Sequence, residues 1–111
     1  MGSSASSART SAHLFAALGD EIRLRLVSSL CNGGPMSITR LTEGAPVTRQ
    51  AIAKHLRVME RSGLVRHARH GRESVWQLNQ QRLKDARLYL ETISKQWDDA
   101  LLRLRKFVEK P

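Results

Sequence analysis

Gln50, Lys54, Arg57 and Arg61 recur at i, i+4, i+7 and i+11. On a helix that spacing lines a single side. The major groove of B-DNA admits one α-helix. There Arg can bond guanine in bidentate fashion and Gln can bond adenine, while Lys and Arg also neutralise phosphates. The N-terminal turn of such a helix enters deepest. Thr48, Arg49, Gln50 and Lys54 are therefore the expected base readers, and Arg57 and Arg61 the expected phosphate contacts. Ala53 shares the outer side, and His55 sits at its inner edge, packed and within reach of a phosphate. Arg66, Arg69 and Arg72 form a second basic group, suited to phosphate or the adjacent minor groove. From Arg49 to Arg72 there are seven Lys/Arg and one acid, Glu60, so this segment carries +6 of the chain's +9. A basic surface with no partner has no reason to gather its charge so tightly. The concentration points to nucleic acid.

Other chemistries find little support. His67 and His70 are three apart, a spacing that puts their rings on opposite faces of a strand, and His13 and His55 are isolated. No metal site is expected, and no cofactor. Cys31 is the only cysteine, which excludes an intrachain disulfide and a multi-cysteine zinc site. It follows an apolar helix face and reads as a buried structural thiol, although pairing with a partner's copy would give it a redox role. There is no phosphate loop, nucleophile elbow or Cys/His pair at a catalytic spacing, so an enzyme is not expected.

The elements that must position the basic residues can be read in order. The chain has 111 residues, 41% of them hydrophobic, which suits one domain with a small core. Its longest apolar run is Leu14–Leu18, too short to span a membrane. No signal peptide opens it, so a cytoplasmic location is expected. Residues 1–10 read as a flexible arm. Ser11 is placed to cap a short helix whose apolar face is Leu14, Phe15 and Leu18. Gly19 would end that helix in a left-handed conformation, and Asp20 would cap the next. Ile22, Leu24, Leu26, Val27 and Leu30 surround that second helix and make it central. Asn32-Gly33-Gly34-Pro35 breaks the chain. A short third helix follows, Ile38 to Glu43, capped by Ser37. Thr48 caps a fourth, running to about Ser62, with Ile52, Leu56 and Met59 as its buried stripe. Two strands, Leu64–Arg69 and Ser74–Leu78, then form a basic hairpin around His70-Gly71-Arg72-Glu73. The order α-α-α-α-β-β-α, mainly helical with a small hairpin, is that of a winged helix-turn-helix. Residues 11–79 would form this DNA-binding domain.

Residues 80–110 contain neither Gly nor Pro before the last residue of the chain and follow a heptad. Leu83, Leu90, Trp97 and Leu104 occupy one position; Ala86, Ile93, Ala100 and Phe107 lie three further on. Such a seam packs against another helix. About 30 residues span about 45 Å, longer than so small a body can cover, so a C-terminal dimerisation helix is expected. Leu14, Phe15 and Leu18 should join Leu90, Ile93, Trp97, Leu104 and Phe107 in a homodimer interface.

Residues 14–26, LFAALGDEIRLRL, resemble the opening signature of ArsR-type winged helix-turn-helix repressors, AL(G/A)DxxRLxIL. Residues 51–65, AIAKHLRVMERSGLV, are similar to their recognition helix and its exit, AVSKHLxxLxxAGLV, with Ala53 where Ser is common. Gly71-Arg72-Glu73 through Leu78 resembles their wing. The resemblance covers about residues 12–85. It implies a homodimer that represses a promoter, often its own, and an inducer that lowers DNA affinity. The thiolate site that metal-sensing members carry on the third helix is absent here, where residues 37–42 read SITRLT, and the last helix has no His. That last helix is similar to the branch often encoded beside START-fold proteins. No residue marks the site of a small-molecule effector. The expected function is operator binding by a dimer. The alternatives are a protein-interaction module built on the last helix, or a winged helix that binds nucleic acid without sequence preference.

Overall fold

A computed structural model describes residues 3–110 of the chain. Its elements are α1 (Ser3–Leu18), α2 (Glu21–Gly33), β1 (Met36–Ser37), α3 (Ile38–Thr42), α4 (Arg49–Arg61), β2 (Val65–His70), β3 (Glu73–Leu78) and α5 (Gln80–Glu109). Helix α1 begins at Ser3, so most of the expected arm is helical. With no Gly or Pro between Ser3 and Leu18 nothing interrupts it. Ser11 is not a cap but an interior residue, 1% exposed. Gly19 ends α1 without a positive φ. A Cβ there would meet the Ala16 carbonyl oxygen at 3.4 Å, an ordinary contact, so neither handedness nor crowding demands a glycine.

Three helices start on side-chain caps. Asp20 accepts from the Arg23 amide at 3.0 Å, Ser37 from Arg40 at 3.2 Å and Thr48 from Ala51 at 3.1 Å. Each satisfies an amide that the helix leaves without a partner. The core gathers Leu14 and Ala17 of α1, Leu26 and Leu30 of α2, Leu41 of α3, Ile52, Leu56 and Met59 of α4, then Leu64, Val65, Trp76 and Ala86. Leu24 is 52% exposed. Helix α2 thus buries one face against α1, α4 and β3, and is less central than its all-round apolar pattern suggests.

The wing has three strands, ordered β1-β3-β2. The short β1 pairs antiparallel with β3, Met36 opposite Trp76. Strands β2 and β3 pair from Val65↔Leu78 to His70↔Glu73. Only Gly71 and Arg72 remain in the turn, with Gly71 at φ 64°.

The first two turns of α5 bury Ala86 and half-bury Leu83 in the same core as residues 11–79. Tyr89 in the next turn still faces Phe15 of α1, and from Leu90 to Asp99 every residue is exposed. The radius of gyration is 18.6 Å and the longest extent 71 Å; a compact chain of this length has a radius near 13 Å.

Candidate nucleic-acid interface

Helix α4 is held by its inner stripe. Ile52, Leu56 and Met59 are at most 1% exposed, which fixes the rotation of the helix and so the direction of its other side. Arg49, Gln50, Lys54, Arg57 and Arg61 are exposed, as is Thr48 at the cap. Ala53 is half-buried and offers only a methyl group. The expected basic strip is therefore assembled on one helix face.

Helix α3 adds residues that sequence reasoning did not single out. Arg40 is exposed, and Arg49 Nη1 donates to Thr39 Oγ1 at 3.1 Å. Thr39 thus ties the first turn of α4 to the helix before it. The cue was available, since Thr39 and Arg40 lie on a helix already recognised, but five residues give no periodicity to show which face is outward.

His55 is turned toward α2. Its Nδ1 lies 3.2 Å from Arg23 Nη1 and 3.8 Å from Asp20 Oδ2. A guanidinium can only donate, so neutral His55 accepts at Nδ1 and carries its proton on Nε2. Arg23 Nε also donates to the Ala17 carbonyl at 2.6 Å. Arg23 thereby joins the end of α1, the start of α2 and the middle of α4. The Arg23 backbone amide holds the Asp20 carboxyl below its ordinary value of 3.8; burial opposes this, and the charge of His55 when it is protonated and the charge of Arg23 reinforce it.

The wing is joined to α4 through Glu60, which bonds His67 Nδ1. The His67 ring packs on Trp76, with centroids 4.5 Å apart. The register puts His67, Arg69 and Trp76 on one face of the hairpin and Arg66 and His70 on the other. The two histidines therefore point apart, and among the described residues no group of His, Cys, Asp and Glu could hold a metal ion. Arg66, Arg69 and Arg72 are exposed. Among the described residues, none of the seven cations from Arg49 to Arg72 is in an ion pair. Their charge is left free for an outside anion.

Leu14 is 0% exposed inside the protomer and cannot line a dimer interface. It belongs to the buried core, and α1 itself packs on α5, α2 and α4. Phe15 and Leu18 remain half-buried, and Phe15 faces Tyr89 with ring centroids 6.3 Å apart. On α5 the expected seam is open. Leu90 is 53% exposed, Ile93 44%, Trp97 65%, Leu104 58% and Phe107 77%. Among the described residues no helix is long and apolar enough to cross a membrane. Cys31, expected to be buried, is exposed.

The helix-turn-helix domain family matches residues 18–68. An uncharacterized HTH-type transcriptional regulator of Bacillus subtilis, YuzN, is 37% identical over 78 residues, 65% of this chain and 85% of that protein. An ArsR-like transcriptional regulator from Rhodococcus sp. RHA1 superposes with a TM-score of 0.82 at 33% identity, over 96% of this chain and 99% of that one. The transcriptional repressor BigR from Xylella fastidiosa gives 0.62 at 28% identity, over 78% and 87% of the two chains.

Proposed function

The chain belongs to the ArsR-type family of winged helix-turn-helix transcriptional regulators, and from that premise we propose that it represses its own or a neighbouring operon by binding an inverted-repeat operator as a homodimer. The observation that carries the DNA-binding face is the unpaired basic strip of α4, continued by the wing. Thr48, Arg49, Gln50, Ala53 and Lys54 meet base edges, and Arg57 and Arg61 take phosphates. Nε2–H of His55 is a donor left for a phosphate. Arg69 and Arg72 reach the backbone or minor groove at the side. The repressor action follows the family resemblance and the similarity to the transcriptional repressor BigR; the protein would act on DNA in the cytoplasm.

The dimer would be built by the exposed seam of α5, with Phe15 and Leu18 alongside. It would hold two α4 helices about one helical turn of DNA apart, about 34–36 Å. The test is a gel-shift titration against the inverted repeats upstream of the gene, with random duplex as competitor. Arg49→Ala and Lys54→Ala should each weaken specific binding by about tenfold, within the usual 1–3 kcal/mol of a base contact, and leave thermal stability unchanged. If both variants keep operator affinity, α4 is not the reading helix. Equal affinity for random duplex at 150 mM salt would instead favour a winged helix without sequence preference, because phosphate contacts alone carry no sequence information.

A further inference from the structure

A cleft of about 720 Å³ opens between the C-terminal end of α2, the end of β3 and the start of α5. Its size is that of a small-molecule site. Pro35, Leu78 and Leu83 supply apolar wall above the buried Leu30, and Lys84 and Arg87 supply charge from adjacent turns of α5. No Asp or Glu lines it. Lys84 is in no ion pair among the described residues. Arg87 meets only Glu91, at 3.6 Å through Nε, and both side chains of that pair are more than half exposed. Such a pair is weak and leaves both terminal nitrogens of Arg87 able to turn toward the cleft. The start of α5 adds to the positive field, since Asn79 makes no capping bond and the first turn has no acid.

We propose that this cleft binds an organic acid with an apolar body, its carboxylate held by Lys84 and Arg87 and its hydrocarbon against Pro35, Leu78 and Leu83. Charge and shape decide the class. An inorganic anion would leave the leucines uncovered, a neutral hydrocarbon would leave two cations unused, and an amine would be repelled. None of the residues proposed to touch DNA lines the cleft, so the site stands independently of the operator reading. It does touch the inner strand of the wing and the root of the α5 overhang, and a ligand there would bridge the two.

The experiment is a titration of the full chain, without DNA, with octanoate, 1-octanol and octylamine. It is followed by calorimetry and by amide chemical shifts. Octanoate should saturate at one per chain, at least about tenfold tighter than octanol, with shifts gathered at Leu30, Gly34, Gln77 and Leu78. The K84Q/R87Q double variant should lose that about tenfold advantage and keep the octanol affinity. R49A should bind octanoate as the parent does, so that loss of operator binding and loss of this site are separable. Equal affinity for octanoate and octanol overturns the proposal. So do shifts confined to the open seam of α5, and so does the lack of saturable octanoate binding.

Discussion

Trp97 is the sharpest test of the α5 seam, because it is large, apolar and 65% exposed in the protomer. A tryptophan carries about 150–250 Å² of buriable surface, so about 100–160 Å² is uncovered here. Covering half of that in each of two symmetric copies removes about 100–160 Å² from water per dimer. At about 25 cal/mol per Å² this stabilises the dimer by about 2.5–4 kcal/mol. Trp97→Ala should therefore raise the dimer dissociation constant by about two to three decades. Trp97→Asp should give monomers at any practical concentration. The buried core does not include Trp97, so the monomer should keep its fold. Sedimentation velocity over a concentration series measures the constant, and far-UV circular dichroism checks the fold. Lys95→Ala, about 200° round the same helix from Trp97, is the control and should leave the constant unchanged. If W97A sediments as a dimer with the parent's constant, the open stripe is not the seam. A parent chain that is itself monomeric would favour the reading of α5 as a docking helix for another protein.

Thr48→Ala removes the cap of α4 and should cost about 1 kcal/mol of stability, with Thr48→Ser close to the parent; chemical denaturation measures both. Asp20→Asn should keep a capping group and lose the charge. The Asp20 carboxyl is held below its ordinary 3.8, so its contribution is present above that value and lost as the pH falls through the lowered one. The gap in stability between parent and D20N should thus be widest near neutral pH and close in acid, and a gap that stays constant through acid denaturation refutes the role given to the charge. Gly63→Ala should destabilise by more than about 1 kcal/mol, since Gly63 has φ 81° and its added Cβ would meet Arg82 Nε at 3.2 Å; a thermal melt equal to the parent's would show that the turn tolerates a side chain.

What could be read from residues alone follows the range of the forces involved. Caps act over three residues, so Asp20, Ser37 and Thr48 were each legible and each accepts the amide three residues on; Ser11 fails as a cap because α1 starts well before it. The α4 stripe was legible because a single face of a 13-residue helix is buried. Strand β1 was not legible. Its two residues exist as a strand only through pairing with Val75 and Trp76, about forty residues on. Leu14 failed for a related reason. Periodicity shows that Leu14, Phe15 and Leu18 share a side of α1, but whether a side meets its own core or a partner depends on where α2 and α4 sit. The same pattern misplaced Leu24, because an apolar residue on every side of a helix says nothing of which sides are covered.

The recognition-helix resemblance divides along the same line, and the division bears on which residues choose the operator. Within residues 51–65 the positions that match the family string, identically or with a similar apolar residue (Ile52 for Val, Met59 for Leu), are mostly interior. Ile52, Leu56, Met59, Leu64 and Val65 are at most 2% exposed, Gly63 holds a left-handed turn, and His55 is tied to Arg23. Arg23 and Asp20 belong to the other matching string, so two separated stretches of sequence meet in one junction of α1, α2 and α4. Only Lys54 among the matching residues of α4 is exposed. Arg57 and Arg61 fall where the string leaves the residue free, and Arg49 and Gln50 lie before it. What resembles the family is thus chiefly the scaffold that aims α4. The side chains at the free positions are the ones that can differ between operators without moving that scaffold. Exchanging Arg49 and Gln50 for other polar residues should therefore change the preferred operator while leaving the melting temperature nearly unchanged. A selection over randomised half-sites would register that change, and a shift in stability with no shift in sequence preference would place specificity elsewhere.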